Sequence, residues 1–219
     1  MMKIFMQIIS WVFVPLFMPI YALAILMYIP SVENFILNDD SLYHLTSQNK
    51  IAILLIFFVC SVVAPGLTLL MLMSKKIISS IEIDNRKERL IPLLITAGYC
   101  LMLYFFFLFM RNGNHLPKYI YALPLSGFIT IGLFAWINMY TKISLHACGT
   151  GILTGLIFAY CANSIYFSFS LLMIAVFITG FVLASRIYLN KHTLSQVLYG
   201  FGGSSIIVFF INYFYPTVY

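Results

Sequence analysis

The stretch LIPLLITAGYCLMLYFFFLFM, residues 90–110, decides the fold of this chain. It contains no charged residue and consists almost entirely of apolar side chains. A helix needs about 20 apolar residues to cross the hydrocarbon core of a bilayer, which is about 30 Å thick. The stretch therefore predicts a membrane-spanning helix, because a segment inside lipid must satisfy its backbone hydrogen bonds internally.

The rest of the chain has the same character. Of its 219 residues, 63% are hydrophobic and 8% are charged, whereas soluble domains have about 45–50% and about 25%. This composition excludes a soluble enzyme and a nucleic-acid-binding protein, and the aromatic content of 17% excludes a disordered chain. Further apolar runs cover residues 4–29, with a kink expected at Pro15 and Pro19, and residues 51–73, 119–140, 146–162, 167–187 and 194–213. We expect one all-α domain over residues 1–219, a polytopic membrane bundle of six or seven transmembrane helices.

The distribution of basic residues bears on the orientation of the bundle. Seven crossings would place nine Lys and Arg residues on the side of the N-terminus and three on the other side, and the positive-inside rule assigns the richer side to the cytoplasm. Five of the nine belong to a candidate phosphate site, so the remaining counts are nearly equal. These five are Arg86, Lys87, Arg89, Arg186 and Lys191. The net charge of +6 suits anionic headgroups or phosphate.

Three polar clusters stand at helix ends on this richer side. They are DNRKER at 84–89, Ser144-Leu145-His146, and Ser185-Arg186 with His192 and Gln196. An even number of crossings separates the clusters, so we expect them to meet at one membrane face. Arginines bind phosphate oxygens bidentately, and helix starts favour anions. One histidine can attack phosphorus while another protonates the leaving oxygen, so the clusters suit phosphoryl transfer.

The order of these residues resembles the phosphatidic acid phosphatase type 2 / haloperoxidase superfamily. Ser185, Arg186 and His192 match the motif S-R-x5-H-x3-D, in which Gln196 replaces the aspartate. Ser144 and His146 match the second motif, P-S-G-H, and Arg89 matches the arginine of the first, K-x6-R-P. Glu82 stands at the lysine position of that motif, so Arg86 or Lys87 would substitute. The resemblance covers residues 82–203. Within the superfamily, the chain is similar to a short bacterial integral-membrane branch with degenerate motifs.

The resemblance implies a role for each matching residue. His192 would be the nucleophile that forms a phosphohistidine, with Gln196 orienting its ring, and His146 would be the general acid. The phosphate would be held by Arg89, Arg186, Ser144 and either Arg86 or Lys87. No metal and no cofactor are implied.

Three classes of function remain. We expect a phosphatase of a bacterial inner membrane that hydrolyses a lipid phosphate or pyrophosphate, with a phospholipid or an isoprenoid phosphate as substrate. The alternative is a non-catalytic relative that binds or moves a phospholipid, which Gln196 and Glu82 favour. A structural membrane subunit would leave the polar clusters unexplained. Membrane lipids are the expected partners and nucleic acid is not, while the oligomeric state stays open.

Overall fold

A computed structural model describes residues 1–30, 32–33, 41–83, 85–111, 116–166 and 169–216. Helices dominate these ranges. Their bounds are α1 Met2–Val12, α2 Met18–Tyr28, α3 Ser47–Phe58, α4 Ala64–Ser74, α5 Leu90–Met110, α6 Lys118–Ile137, α7 Leu145–Asn163, α8 Phe169–Tyr188 and α9 Leu194–Phe214. The protein is therefore the all-α polytopic bundle that its composition predicts.

Within the described ranges, six helical segments are long and apolar enough to cross a membrane. The first of them, Ser47–Ser74, joins α3 and α4 through a π-helical turn at Val59–Val63. The bent pair Met2–Val12 and Pro15–Tyr28 makes a seventh span when it is counted as one. The apolar runs predicted from the sequence coincide with these segments, so the chain is an integral membrane protein.

The first apolar run is broken near its middle. Its helix α1 ends at Val12, a 3-10 turn covers Pro15–Phe17, and the two parts meet at an angle of 44°. Proline has no backbone N–H and its ring clashes with the preceding turn, so Pro15 begins a new helical segment instead of continuing the old one. The expected kink is thus confirmed, and it turns α1 towards the start of α7.

Helix α7 occupies the centre of the bundle, and glycines allow α9 to approach it closely. A Cβ atom at Gly151 would lie 1.9 Å from Ser204 Oγ, and one at Gly155 would lie 2.6 Å from the carbonyl oxygen of Ser205. Small residues at such contacts let membrane helices pack by backbone approach. The α7–α9 contact brings the first turns of both helices together, and these turns carry His146 and Gln196.

Two short strands lie at the other end of α7. Strand β1 is Val32–Glu33 and β2 is Ser164–Tyr166, and they pair antiparallel with Val32 opposite Tyr166. Because β2 follows the C-terminal end of α7 directly, this ribbon lies at the opposite end of that helix from His146. The polar clusters therefore share one end of the bundle, and the ribbon lies at the other.

Candidate phosphate-binding site

Four of the predicted site residues line the same cavity, which has a volume of about 250 Å³. They are Arg89, His146, Arg186 and His192. Arg89 is 3% exposed, Arg186 is 5% exposed and His192 is 9% exposed. The convergence expected from their spacing is therefore observed, and two buried guanidinium groups lie beside two imidazoles.

Arg89 is held at the cavity wall by two backbone carbonyls. It ends a 3-10 turn, Arg86–Arg89, that leads directly into α5. Its Nε donates to the carbonyl oxygen of Ile83 and its Nη1 donates to that of Ile143, both at 2.8 Å. These bonds tie the segment before α5 to the segment before α7, so the guanidinium position depends on both.

Arg186 and His146 meet at Ser10 of α1. Nη1 of Arg186 donates to Ser10 Oγ at 2.5 Å. Nε2 of His146 lies 3.1 Å from the carbonyl oxygen of Ser10 and 3.4 Å from its hydroxyl. A carbonyl oxygen only accepts hydrogen bonds, so Nε2 of His146 carries a hydrogen in this arrangement.

His192 is oriented by the first turn of α9. Its Nδ1 lies 3.1 Å from Gln196 Oε1, and the backbone N–H of Thr193 donates to the same oxygen at 3.3 Å. The backbone N–H of Gln196 in turn donates to Thr193 Oγ1 at 3.4 Å, which completes a capping box. The residues that begin the helix therefore also fix the side chain that contacts His192.

The capping box determines which nitrogen of His192 carries the hydrogen. A backbone N–H can only donate, so the Gln196 atom facing Thr193 must be the amide oxygen. The same oxygen contacts His192 Nδ1, which must then be the protonated nitrogen and leave a lone pair on Nε2. Burial lowers the pKa of His192 to about 4, the Gln196 hydrogen bond opposes this shift, and the positive charges of Arg89, Lys142 and Arg186 add to it. The ring is therefore neutral at pH 7.

Ser144 has a different position from the one the resemblance implies. It is fully buried and is not among the residues that line the cavity. Its hydroxyl accepts from the backbone N–H of Ala147 at 3.4 Å, and its own N–H donates to the carbonyl oxygen of Gln196 at 3.4 Å. In this structure Ser144 caps α7 and joins its start to that of α9.

Arg86 and Lys87, the expected substitutes for the missing lysine, do not line the cavity. Arg86 donates from Nη1 to the carbonyl oxygen of Tyr140, and Lys87 is exposed. In a 3-10 turn, side chains three residues apart share one face, so Arg86 and Arg89 both bind the loop before α7. Arg86 contacts the beginning of that loop, at Tyr140, and Arg89 contacts it at Ile143. Their neighbour Asp84 lies outside the described residues.

Glu82, which stands at the lysine position of the motif that the chain resembles, pairs with a lysine from another segment. Its Oε2 lies 2.9 Å from Lys191 Nζ, so a lysine does reach this place, but from the segment before α9. Both side chains are about one-third exposed, and Glu82 lines the cavity at its rim. The pair links the segments that carry Arg89 and His192.

Two residues that lie next to the site residues, Ser10 and Lys142, were not predicted from the sequence. Ser10 contacts both Arg186 and His146, and a lone hydroxyl in an apolar run shortly before Pro15 was a signal that could have revealed it. Lys142 lies near His192 and donates to the carbonyl oxygen of Lys191 at 3.4 Å. Nothing in the local sequence around Lys142 indicated that contact, because it depends on how two loops pack.

No family model matches the chain, and no curated protein or solved structure matches it either. The function of the protein must therefore be inferred from the geometry of the four cavity residues and from the resemblance of their motifs.

Proposed function

We propose that this protein is an integral membrane phosphatase that hydrolyses a lipid phosphate or pyrophosphate through a phosphohistidine. One observation carries the proposal: two histidines and two buried arginines meet at one end of a cavity whose other walls are mostly apolar. Ionisable residues in the membrane are costly and are functional candidates by default. A lipid phosphate has the matching form, an anionic head on an apolar chain.

The phosphate group would bind between Arg89 and Arg186, beside the starts of α7 and α9. Guanidinium groups bind phosphate oxygens bidentately, and the amide groups at a helix start attract anions. Ser10 now provides the oxygen atoms that contact Arg186 and His146. Phosphate oxygens would take over these contacts when substrate binds.

Hydrolysis would proceed in two displacements. The Nε2 lone pair of His192 attacks phosphorus, the bond from phosphorus to the leaving oxygen breaks, and imidazolium His146 donates its Nε2 proton to that oxygen. The phosphate's negative charge favours the protonated ring of His146. Water then attacks phosphorus, the bond from phosphorus to His192 Nε2 breaks, neutral His146 accepts the water proton, and inorganic phosphate leaves.

A non-catalytic phospholipid-binding protein is the second candidate, and Gln196 favours it. The amide orients His192 but carries no negative charge to stabilise the imidazolium that forms during attack. In the serine-protease triad, replacing the aspartate beside the catalytic histidine by asparagine lowers kcat by about 10⁴. A protein that kept the site only for binding would have this neutral partner too.

The site is assigned to the non-cytoplasmic face of a bacterial inner membrane as part of the same proposal. The resemblance favours this face, whereas the positive-inside rule favours the other. With Arg89 and Arg186, the two basic residues that line the cavity, set aside, seven basic residues remain on its side against three on the opposite side. Thr141 is exposed in the loop next to the site. A cysteine at this position in a cysteine-free variant should react with an impermeant thiol reagent in intact cells. Labelling that requires permeabilised cells would reverse the assignment.

Phosphate release by the purified full-length protein tests the enzyme against the binding protein. We expect turnover of lipid phosphates, and we expect His192→Ala to abolish it because the nucleophile is removed. His44→Ala is the matched control, since His44 is exposed in the segment before α3. Turnover that survives in His192→Ala would refute the phosphohistidine mechanism. Binding of lipid phosphates without turnover by the wild type would favour the second candidate.

A further inference from the structure

We propose that the apolar part of the cavity binds one long hydrocarbon chain, so that the protein selects single-chain lipid phosphates over diacyl ones. The inference rests on the proposed function and names its substrate class. Below the two arginines the cavity is deep and narrow, and most of its lining residues are apolar.

One wall is a continuous stripe along α5. The lining residues recur at intervals of three and four, which places them on one face of the helix. At a rise of about 1.5 Å per residue, the stripe is about 21 Å long. Its members are Arg89, Pro92, Leu93, Thr96, Tyr99, Cys100 and Leu103.

The adjoining wall is formed by α6, whose lining residues run from Phe134 to Leu123. Gly127 lies on this wall, and a Cβ atom there would stand 3.2 Å from Cys100 Sγ. The two stripes therefore meet at this point, where the missing side chain at Gly127 leaves room for Cys100. Most of the residues on both walls are apolar, which suits hydrocarbon.

The cavity ends at residues of the main hydrophobic core. Phe57, Leu103 and Leu123 line this end, and they are at most 3% exposed. One leaflet accounts for about 15 Å of a hydrocarbon core of about 30 Å, so a stripe about 21 Å long extends past the bilayer midplane. A volume of about 250 Å³ over this length makes a narrow channel.

These dimensions define the occupant. The charged end requires an anionic head, and the length accommodates a chain that is longer than one leaflet. The narrowness accommodates one chain and excludes a second. The matching ligands are phosphates of a long alkyl, isoprenyl or lysophospholipid chain, and a diacyl lipid would have to leave one chain outside.

Chain-length dependence tests this inference in the purified full-length protein. We would measure phosphate release from octyl, hexadecyl and docosyl phosphate and from dipalmitoyl phosphatidic acid. We expect kcat/KM for hexadecyl phosphate to exceed that for octyl phosphate by at least about tenfold, since burying each added methylene is favourable. The diacyl lipid should react at least about tenfold more slowly than hexadecyl phosphate, because one of its chains is excluded.

Two cavity variants and one control separate the channel from detergent effects. Cys100→Phe should reduce the hexadecyl-to-octyl ratio to near one, because the new ring fills the channel halfway along. Leu103→Ala should instead raise the docosyl-to-hexadecyl ratio, because it deepens the closed end. Met102→Phe is the control on the same helix, since Met102 is 52% exposed on the outer surface. This control should keep the wild-type ratios.

The outcomes distinguish the two proposals. Equal ratios in wild type and Cys100→Phe, or a preference for the diacyl lipid, would overturn the single-chain site and leave the phosphatase intact. Absence of turnover with every substrate would overturn the phosphatase, and the site would then be tested by thermal unfolding. In that case hexadecyl phosphate should raise the Tm of wild type more than that of Cys100→Phe, with inorganic phosphate as the headgroup-only probe. Equal Tm shifts in both proteins would overturn the site.

Discussion

The segment before α5 and the segment before α9 contribute to the same site in different ways. Before α9, His192, Thr193 and Gln196 are bonded to one another within five residues, so their arrangement is local. Before α5, Arg89 reaches the cavity by bonding to Ile83 and to Ile143 in a distant loop. The comparison shows that a residue's position can follow from helix capping in one segment and from tertiary packing in another.

Removing Arg89 should have the largest effect, because this side chain holds two backbone carbonyls, one nearby and one in a distant loop, and also lines the cavity. Arg89→Ala leaves two buried carbonyls without their present donor, which costs about 1–3 kcal/mol each, and it removes a phosphate ligand. We expect the midpoint of thermal unfolding to fall and phosphate release to drop at least about 100-fold, as for loss of one strong charged contact. Both are measured on the purified protein.

Arg86→Ala is the matched control for this prediction. Arg86 lies three residues earlier and binds the same loop, but it does not line the cavity. We expect a smaller loss of stability and a kcat within a few-fold of wild type. Equal losses of kcat in the two variants would show that the loop position, and not the Arg89 guanidinium, matters for turnover.

Changes at Gln196 test whether the arrangement before α9 is as local as the capping box indicates. Gln196→Leu removes the oxygen that fixes Nδ1–H, so we expect kcat to fall by about 10- to 1,000-fold, with KM changing less because the arginines remain. Gln196→Asp keeps an acceptor and adds a negative charge, so it should raise kcat above wild type. Activity of Gln196→Leu equal to wild type would exclude Gln196 as a positioning residue.

An effect of intermediate size is expected in the pH dependence of the free energy of unfolding, through the protonation of His192. Its folded pKa of about 4 lies below the unfolded value of about 6.5. The unfolded chain therefore binds more protons between these values, so stability is full above about pH 6.5 and decreases as the pH falls towards 4. His192→Ala should reduce this loss when the free energy of unfolding is measured across the window.

The activity profile should report the same group. We expect kcat/KM to have an acid limb near pH 4, because the neutral ring is the nucleophile. In Gln196→Asp the limb should move to higher pH, since a nearby carboxylate favours the imidazolium. A limb that does not move would mean that another group controls the acid side.

The smallest effect is expected at the ion pair that joins the two segments. Glu82 and Lys191 are partly exposed, and such pairs contribute about 0–1 kcal/mol. Glu82→Gln should therefore change the free energy of unfolding by no more than this, and high salt should have a similar effect on wild type. A decrease of several kcal/mol in the free energy of unfolding would show that the pair fixes the positions of the segments that carry Arg89 and His192.

The structure brings some of the predicted polar residues to the cavity and not others, and the reason is physical. Gln196 was expected next to His192 because residues four apart lie on one helix face. Arg86, Lys87 and Ser144 were assigned to the phosphate by their motif, but the structure gives Arg86 a loop carbonyl and Ser144 a helix cap. Arginine side chains and serine hydroxyls find many acceptors and donors, so their partners depend on which loops pack nearby.

Sequence analysis was enough to predict the membrane bundle, its apolar helices, the break at Pro15 and the common end of the polar clusters. These features follow from the length and composition of single segments, because lipid forces the backbone of each segment to satisfy its own hydrogen bonds. Only the packed structure shows that Ser10 reaches Arg186 and His146, that Glu82 pairs with Lys191, and that α5 and α6 line the same cavity. Those contacts join segments far apart in the chain, and their partners are selected by packing rather than by local pattern.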